Sequence, residues 1–388
     1  MTAFGELLAL PLRSGVTVPA AKRGSGIRMV NMRELFAHPR LGNVEMARVE
    51  VEGDPERYHL AEGDLLFARR SLTAEGAGQC AMVVDVREPT TWESSILRAR
   101  PDRQVTDPSF LYYYFRSPAG RLQMDSIVNQ VAAAGIRGSD LKLLDIPQPP
   151  LAVQQGIAEV LGALDDKIAA NGHMMNAADD LIRASYTQLS SSENAVLDDI
   201  ARSVRQQVGV TDIAANAVYV GLEHFDRERL WLQRFGVGGD VTSAKNIFEA
   251  GDTLFGKLRP YFHKVGVAPT NGVCSTDVLV IRALERMNRW LVAAASSSTE
   301  AIARAVQNSN GTRMPRAKWE DIADLVVPDP GSREAMAFEG LAESLGKRCF
   351  AAVAENETLT KTRDELLPLL MSGKITVKDA EKRVEGVV

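Results

Sequence analysis

The sequence predicts an α+β fold: two α/β domains separated by two long antiparallel coiled-coil helices, arranged as a pseudo-two-fold internal repeat. Three observations predict it. The chain repeats itself at a spacing of about 181–190 residues. Each copy passes from short β-like runs into a long heptad seam. Prolines mark both transitions, at 147, 149 and 150 and again at 328 and 330.

The repeat is carried by short matches in the same order. Gly63-Asp64-Leu65-Leu66-Phe67 recurs as Gly251-Asp252-Thr253-Leu254-Phe255. Basic residues follow each: Arg69 and Arg70 in the first copy, Lys257 and Arg259 in the second. Ser95-Ile96-Leu97-Arg98 matches Asp277-Val278-Leu279-Val280 loosely, Val30-Asn31-Met32 matches Val220-Gly221-Leu222, and Asp145-Ile146-Pro147 matches Val326-Val327-Pro328. One such match is chance; a set in constant order implies a duplicated unit.

Within each block, β-branched runs bounded by Gly, Asp or Pro read as strands, among them Cys80 to Val86, Val218 to Leu222 and Asp277 to Arg282. Leu111 to Phe115 and Trp290 to Ala295 read as short buried helices. Tyr112-Tyr113-Tyr114-Phe115 offers either a base-stacking platform or core, and core is the commoner use of such a run. The boundaries follow: a first block over 1–147, a spacer helix over 148–195, a second block over 196–327, and a final helix and tail over 328–388.

The helices carry the sharpest pattern. Ile157, Leu161, Leu164, Ile168, Asn171, Met175, Ala178, Ile182, Ser185 and Leu189 alternate four- and three-residue spacings. Adding 181 gives Phe338, Ala342, Leu345, Cys349, Ala352, Asn356, Leu359, Arg363, Leu366 and Leu370. Arg363 is expected to bend its head out to solvent. A seam of about 33 residues makes ~50 Å of helix. Under a pseudo-two-fold axis the helices run antiparallel, and mirroring about residue 173 sets Asn171 opposite Asn356. The pair either fixes register inside the seam or lies on the surface of each helix.

Composition bounds the function. With 388 residues and 45% hydrophobic content the chain can fill two or three domains. No segment approaches a membrane span, and the N-terminus lacks the basic region of a signal peptide. Cys80, Cys274 and Cys349 form no CxxC, so neither a zinc site nor a disulfide framework is expected, and a cytoplasmic setting fits. The net charge of −5 argues at first against nucleic acid. Yet the acidic excess sits in the two linking segments, while the blocks are near neutral and hold 28 Arg against 6 Lys. Arginine suits bidentate base readout, and a GC-rich coding bias gives the same composition.

The stretch from Leu141-Lys142-Leu143-Leu144-Asp145-Ile146-Pro147-Gln148-Pro149-Pro150-Leu151 through Gln154-Gln155-Gly156-Ile157-Ala158 to Leu164-Asp165-Asp166-Lys167-Ile168 resembles the first conserved spacer of type I restriction–modification specificity (S) subunits. Leu366-Leu367-Pro368-Leu369-Leu370-Met371-Ser372-Gly373-Lys374-Ile375 resembles their usual ending. The layout matches over essentially the whole chain. The second spacer departs: Val327-Pro328-Asp329-Pro330-Gly331 lacks the Pro-Pro-Leu and the paired Gln.

The resemblance implies two target-recognition domains held apart by the helix pair. Each reads one half of a split double-stranded DNA sequence. Two methyltransferase (modification) subunits dock on the helices, and motor-nuclease (restriction) subunits join in some complexes. Half-sites one turn apart lie ~34–36 Å centre to centre, so the spacer would act as a ruler. The candidate DNA-binding residues are Arg69, Arg70 and Arg137 in the first block, and Lys257, Arg259, Tyr261, Asn308, Asn310 and Arg313 in the second. Glycines beside them permit close backbone approach, and Arg and Asn match the edges of G and A. For any one of them a solvated surface charge is an equal reading.

No chemistry of its own is expected. The sole Pro-Pro, Pro149-Pro150, lacks the Asn or Asp before it and the aromatic after it that an amino-methyltransferase motif needs. No P-loop pattern occurs. Asp165-Asp166-Lys167 reads as a solvated acidic helix face rather than a nuclease site, and the five histidines show no ligand spacing. No cofactor or metal is expected. The alternative to a DNA-specificity subunit is a protein-interaction scaffold of the same architecture without DNA binding, which the pI of 5.7 favours mildly.

Overall fold

The computed structural model describes residues 1–51, 55–130, 134–189, 194–308 and 315–386. The chain divides into two compact units: Met1–Asp166 with Thr358–Val388, and Lys167–Glu357. The first long helix, Leu151–Thr187, and the second, Arg333–Met371, each contribute to both.

The first unit is built on a five-stranded sheet in the order Leu8–Ser14, Ile96–Pro101, Leu65–Ala68, Cys80–Val83, Arg40–Leu41. A three-stranded sheet of Ala47–Val49, Arg23–Val30 and Thr90–Trp92 lies beside it. The second unit has a four-stranded sheet, Ala201–Val204, Val278–Ala283, Thr253–Gly256, Val265–Val267. Its five-stranded companion includes Val218–Val220 and Gly272–Cys274.

The sequence matches fall on equivalent positions. Leu97 pairs with Phe67 in one unit, and Leu279 with Phe255 in the other, both antiparallel. Val30 pairs parallel with Trp92, and Val220 with Cys274. Asp145–Ile146 pairs with Thr2–Ala3, and Val326–Pro328 with Asn194–Val196.

The Gly-Asp signature has a physical reason. Gly63 and Gly251 take φ of 87° and 90°, which only glycine adopts without strain. The next residue, Asp64 or Asp252, is buried and must be paired. Arg100 grips Asp64 with two bonds of 2.7 and 2.8 Å, and Arg282 grips Asp252 with bonds of 2.8 and 2.7 Å. Each arginine comes from the neighbouring strand, so the pair ties turn to sheet.

Tyr112 to Phe115 are buried on the helix Pro108–Arg116, with Asp107 capping its first turn through Ser109 and Phe110 N–H. Phe4, Phe67 and Phe115 meet edge to face at 5.0–5.8 Å. The run is core. In the second unit Trp231, Trp290 and Phe350 play the same part.

In the first unit the two long helices bury Ile157, Leu161 and Leu164 alongside Leu359, Leu366 and Leu370. Arg363 does not bend out to solvent, and the Asp165-Asp166 pair is not simply a solvated face. Arg363 Nη1 donates to Asp165 Oδ1 at 2.7 Å, and Tyr113 Oη donates to Asp165 Oδ2 at 2.7 Å. Arg40 pairs with Asp166 at 2.7 Å. A carboxylate at a seam edge supplies the arginine with a nearer partner than water.

In the second unit Asn171 Nδ2 donates to Asn356 Oδ1 at 2.9 Å and to Glu355 Oε2 at 2.7 Å. Lys167 pairs with Glu355 at 3.3 Å, and Met174 meets Cys349, so the helices run antiparallel there. Ile168, Leu345 and Asn356 are half-buried. The second helix runs through Pro368 to Met371; the proline sits in the last turn, where losing one N–H bond costs little of the ladder. No helix among the described residues is long and apolar enough to cross a membrane.

Candidate nucleic-acid interface

Each unit has a basic cleft at the same place in the repeat. In the first, a cleft of about 680 Å³ lies between the strand Leu8–Ser14 and the short helix Gly138–Leu141. Arg69, Arg137 and Lys142 line it with Ser14 and Ser139. In the second, a cleft of about 790 Å³ is lined by Arg205, Lys257, Arg316 and Lys318, with Gln207, Asn246, Thr276 and Glu320.

Backbone bonds place the cations alike. Arg69 N–H donates to Ser95 O at 2.8 Å, and Lys257 N–H to Asp277 O at 2.8 Å. The Arg69 carbonyl accepts from Ile136 N–H at 3.0 Å, and the Lys257 carbonyl from Ala317 N–H at 2.9 Å. Arg137 and Lys318, the residues after Ile136 and Ala317, line the same clefts as Arg69 and Lys257 respectively. Each opens a short helical turn, Gly138–Leu141 or Trp319–Asp321.

The two clefts differ in compensation. Among the described residues Arg137 and Lys142 have no hydrogen-bond or carboxylate partner for their side chains, and Arg69 has only the Ser14 hydroxyl at 3.4 Å. In the second cleft Arg316 pairs with Asp277 at 3.2 Å and Arg205 with Glu320 at 3.5 Å. Burial pushes the Lys257 amine below its ordinary value; Asp277 opposes this and Arg316 adds to it. An uncompensated cluster of cations in a concave surface is an anion seat, and guanidiniums with free edges can bind phosphate or guanine bidentately. Among the described residues no group of three or more His, Cys, Asp or Glu could hold a metal ion.

The structure therefore brings Arg69 and Arg137 together, with Lys257 in the equivalent cleft. Arg70, Arg259 and Tyr261 are exposed outside the clefts. Asn308 ends the helix Thr299–Asn308, and its side chain lies outside the described residues, as do Asn310 and Arg313 entirely. The glycine argument needs correcting at Gly135: a Cβ there would stand 2.9 Å from the Arg69 carbonyl oxygen, so strand pairing, not ligand approach, excludes a side chain. Sequence reasoning missed Lys142, Arg205, Arg316 and Lys318. Aligning Ile136-Arg137 with Ala317-Lys318 would have found the last.

Residues 39–177 match the family model of the type I restriction modification DNA specificity domain. The chain resembles the specificity subunits of type I restriction–modification systems. It is 23% identical over 249 residues to the type I restriction enzyme EcoKI specificity subunit of Escherichia coli strain K12, covering 62% of this chain and 50% of that protein. It is 26% identical over 148 residues to the EcoDI specificity subunit of Escherichia coli, covering 36% and 32%. The chain thus spans half or less of the length of these curated relatives. The crystal structure of a type I restriction–modification S subunit from M. genitalium aligns with a TM-score of 0.58 at 14% identity, covering 95% of each chain. That likeness establishes the shared fold of an S subunit: mixed helix and sheet with two long helices.

Proposed function

We propose that the chain is the DNA sequence-specificity subunit of a type I restriction–modification complex. In this reading it is non-catalytic, acts in the cytoplasm and reads a bipartite double-stranded target with one half-site per unit. Residues 1–147 and 196–327 are the target-recognition domains; 148–195 and 328–388 are the spacer helices on which two methyltransferase subunits dock and which motor-nuclease subunits can join. The observation that carries the reading is the recurrence of a basic cleft at the same place in both copies of an otherwise acidic chain. A protein that must hold two duplex segments needs two such seats, whereas a scaffold has no use for basic clefts at duplicated positions.

Arg69, Arg137 and Lys142 serve the first half-site, and Arg205, Lys257, Arg316 and Lys318 the second. Phosphate contacts position the duplex, and Gln207, Asn246 and the guanidiniums supply directional readout. The apolar groove of Met287, Pro330, Met336 and Gly340, flanked by Arg289, Glu339 and Glu343 on and beside the second long helix, supports docking of a methyltransferase subunit.

The test is co-purification with a cognate methyltransferase subunit from the host, then single-molecule mapping of methylated bases in host DNA. A split motif that vanishes when the chain is deleted is the expected result. An unchanged methylome with the chain stably expressed would refute the reading in favour of a scaffold.

A further inference from the structure

We propose that each unit carries one side chain that wedges against a base step of the duplex: Leu72 in the first and Tyr261 in the second. The inference rests on the DNA-specificity reading and adds a distortion of the target to it.

Both residues lie near the same point in the repeat, one position apart: counted from the equivalent Arg69 and Lys257, Leu72 is the third residue and Tyr261 the fourth. In the first unit the strand Leu65–Ala68 continues through Arg69 into Arg70–Ser71, which pairs with Ala134–Gly135. In the second, Thr253–Gly256 continues through Lys257 to Leu258, which bridges to Arg316. Past these pairings the chain turns outward in both units. The turn presents an exposed guanidinium and, two residues later, an exposed apolar or aromatic side chain: Arg70 then Leu72, Arg259 then Tyr261. Leu72 is 99% exposed and Tyr261 is 53% exposed. Among the described residues neither Arg70 nor Arg259 has an ion-pair partner.

A single exposed leucine is ordinary on a protein surface, so exposure alone carries nothing. Three further facts do. An exposed guanidinium followed two residues later by an exposed apolar or aromatic side chain recurs after the same strand in both copies, shifted by one residue in the second.

Both turns are also built rather than slack. Thr73 N–H donates to Ser71 Oγ at 3.2 Å and Gly76 N–H to Thr73 Oγ1 at 3.3 Å. The Arg121 guanidinium donates to the Glu75 carbonyl at 3.4 Å from below. In the second unit Arg259 and His263 hold left-handed φ values of 53° and 50° on either side of the turn, which non-glycine residues keep only where the surroundings impose it. Arg259 N–H donates to Pro315 O at 2.9 Å, and His263 Nε2 lies 2.8 Å from the Ser297 carbonyl oxygen. The Tyr261 ring stands edge-on to Phe262 at 4.8 Å, and Phe262 is covered by Arg227 at 4.2 Å.

The third fact is charge. The exposed apolar group closely follows Arg69 and Arg70 in the chain, or Lys257 and Arg259, cations that draw the phosphates of a duplex toward this segment. A side chain presented this way matches the apolar wedges that enter between base pairs and unstack them. The tyrosine adds a π-face on which a base can stack.

The experiment uses the complete complex of the chain with its methyltransferase subunits. Duplexes carry the split motif found by methylation mapping, with 2-aminopurine at successive positions of each half-site outside the methylated base. Wild type is expected to raise 2-aminopurine fluorescence at one step in each half-site. Leu72→Ala should abolish the rise in one half-site only, and Tyr261→Ala in the other only, with Leu72→Met and Tyr261→Phe restoring it. Affinity for the motif should fall roughly tenfold in each alanine variant, with binding to mixed-sequence duplex unchanged. Equal fluorescence in wild type and both alanine variants overturns the wedge. So does loss of methyltransferase from the alanine variants, which would make these turns protein-docking surfaces. A wild-type complex that does not bind the motif duplex at all would instead sink the DNA-specificity reading.

Discussion

Replacing Arg69, Arg137 and Lys142 together by Gln should flatten the salt dependence of DNA binding. None of the three has a carboxylate partner among the described residues, so each can displace a counterion from DNA. Each phosphate neutralised contributes a slope of about 0.9 in log K against log salt, so the triple variant should lose about 2.7. Between about 50 and 200 mM salt the wild-type affinity then falls roughly 40-fold more than that of the variant. The assay is fluorescence anisotropy of a mixed-sequence duplex with the complete complex across a salt series. Arg137 and Lys142 are exposed and Arg69 is half-buried, so thermal stability should hold and serves as the control. In the second cleft, removing Arg205 or Arg316 also frees Glu320 or Asp277. Single Gln variants there should weaken binding through the freed carboxylate as well. A triple variant with a wild-type slope would show that the first cleft does not meet phosphate, and the argument from uncompensated charge would fail.

A double-mutant cycle on Asn171 and Asn356 by thermal unfolding should give a coupling of about 0.5–1.5 kcal/mol, since their amides bond at 2.9 Å inside the helix pair; additivity would place both on the surface. Burial pushes the Asp179 carboxyl up to about 6 against the pull of Arg183, and the Glu339 carboxyl up to about 7 against the Leu291 amide. The folded state therefore keeps protons that the unfolded chain has released, and stability should fall as pH rises from about 4 to 7 and then level. Asp179→Asn with Glu339→Gln should flatten that decline in melting temperature; an unaltered pH profile would refute the assignment. On the second long helix, Gly346→Ala should destabilise, because its Cβ would stand 2.0 Å from the Trp290 ring. Gly340→Ala, with nothing within 4 Å, should stabilise by about 0.5–1 kcal/mol, both variants being measured by denaturant unfolding. A stabilising Gly346→Ala would contradict the packing of Trp290 on the helix.

Much of the fold was legible because duplication writes the same constraint twice. The Gly-Asp turn stood out in the sequence since only glycine tolerates φ near 90° and only a paired carboxylate can be buried behind it. The heptad spacing likewise set the register, and arithmetic alone placed Asn171 against Asn356. The fate of Arg363 was not legible, because its partner Asp165 lies on the other helix, 198 residues away. Nor was the makeup of the clefts: Lys142 and Lys318 look like any surface lysine until the backbone bonds of Arg69 and Lys257 are known.

The sequence by itself determined the repeat, the helices, the strands around the Gly-Asp turns and the absence of recognised catalytic motifs. These rest on spacing, local backbone preference and residue type, which a linear pattern records. The tertiary structure decided which cations converge, which carry a carboxylate, and which side chains the turns leave exposed. Those depend on approaches between residues distant in the chain, set by sheet register and helix packing rather than by any residue's neighbours.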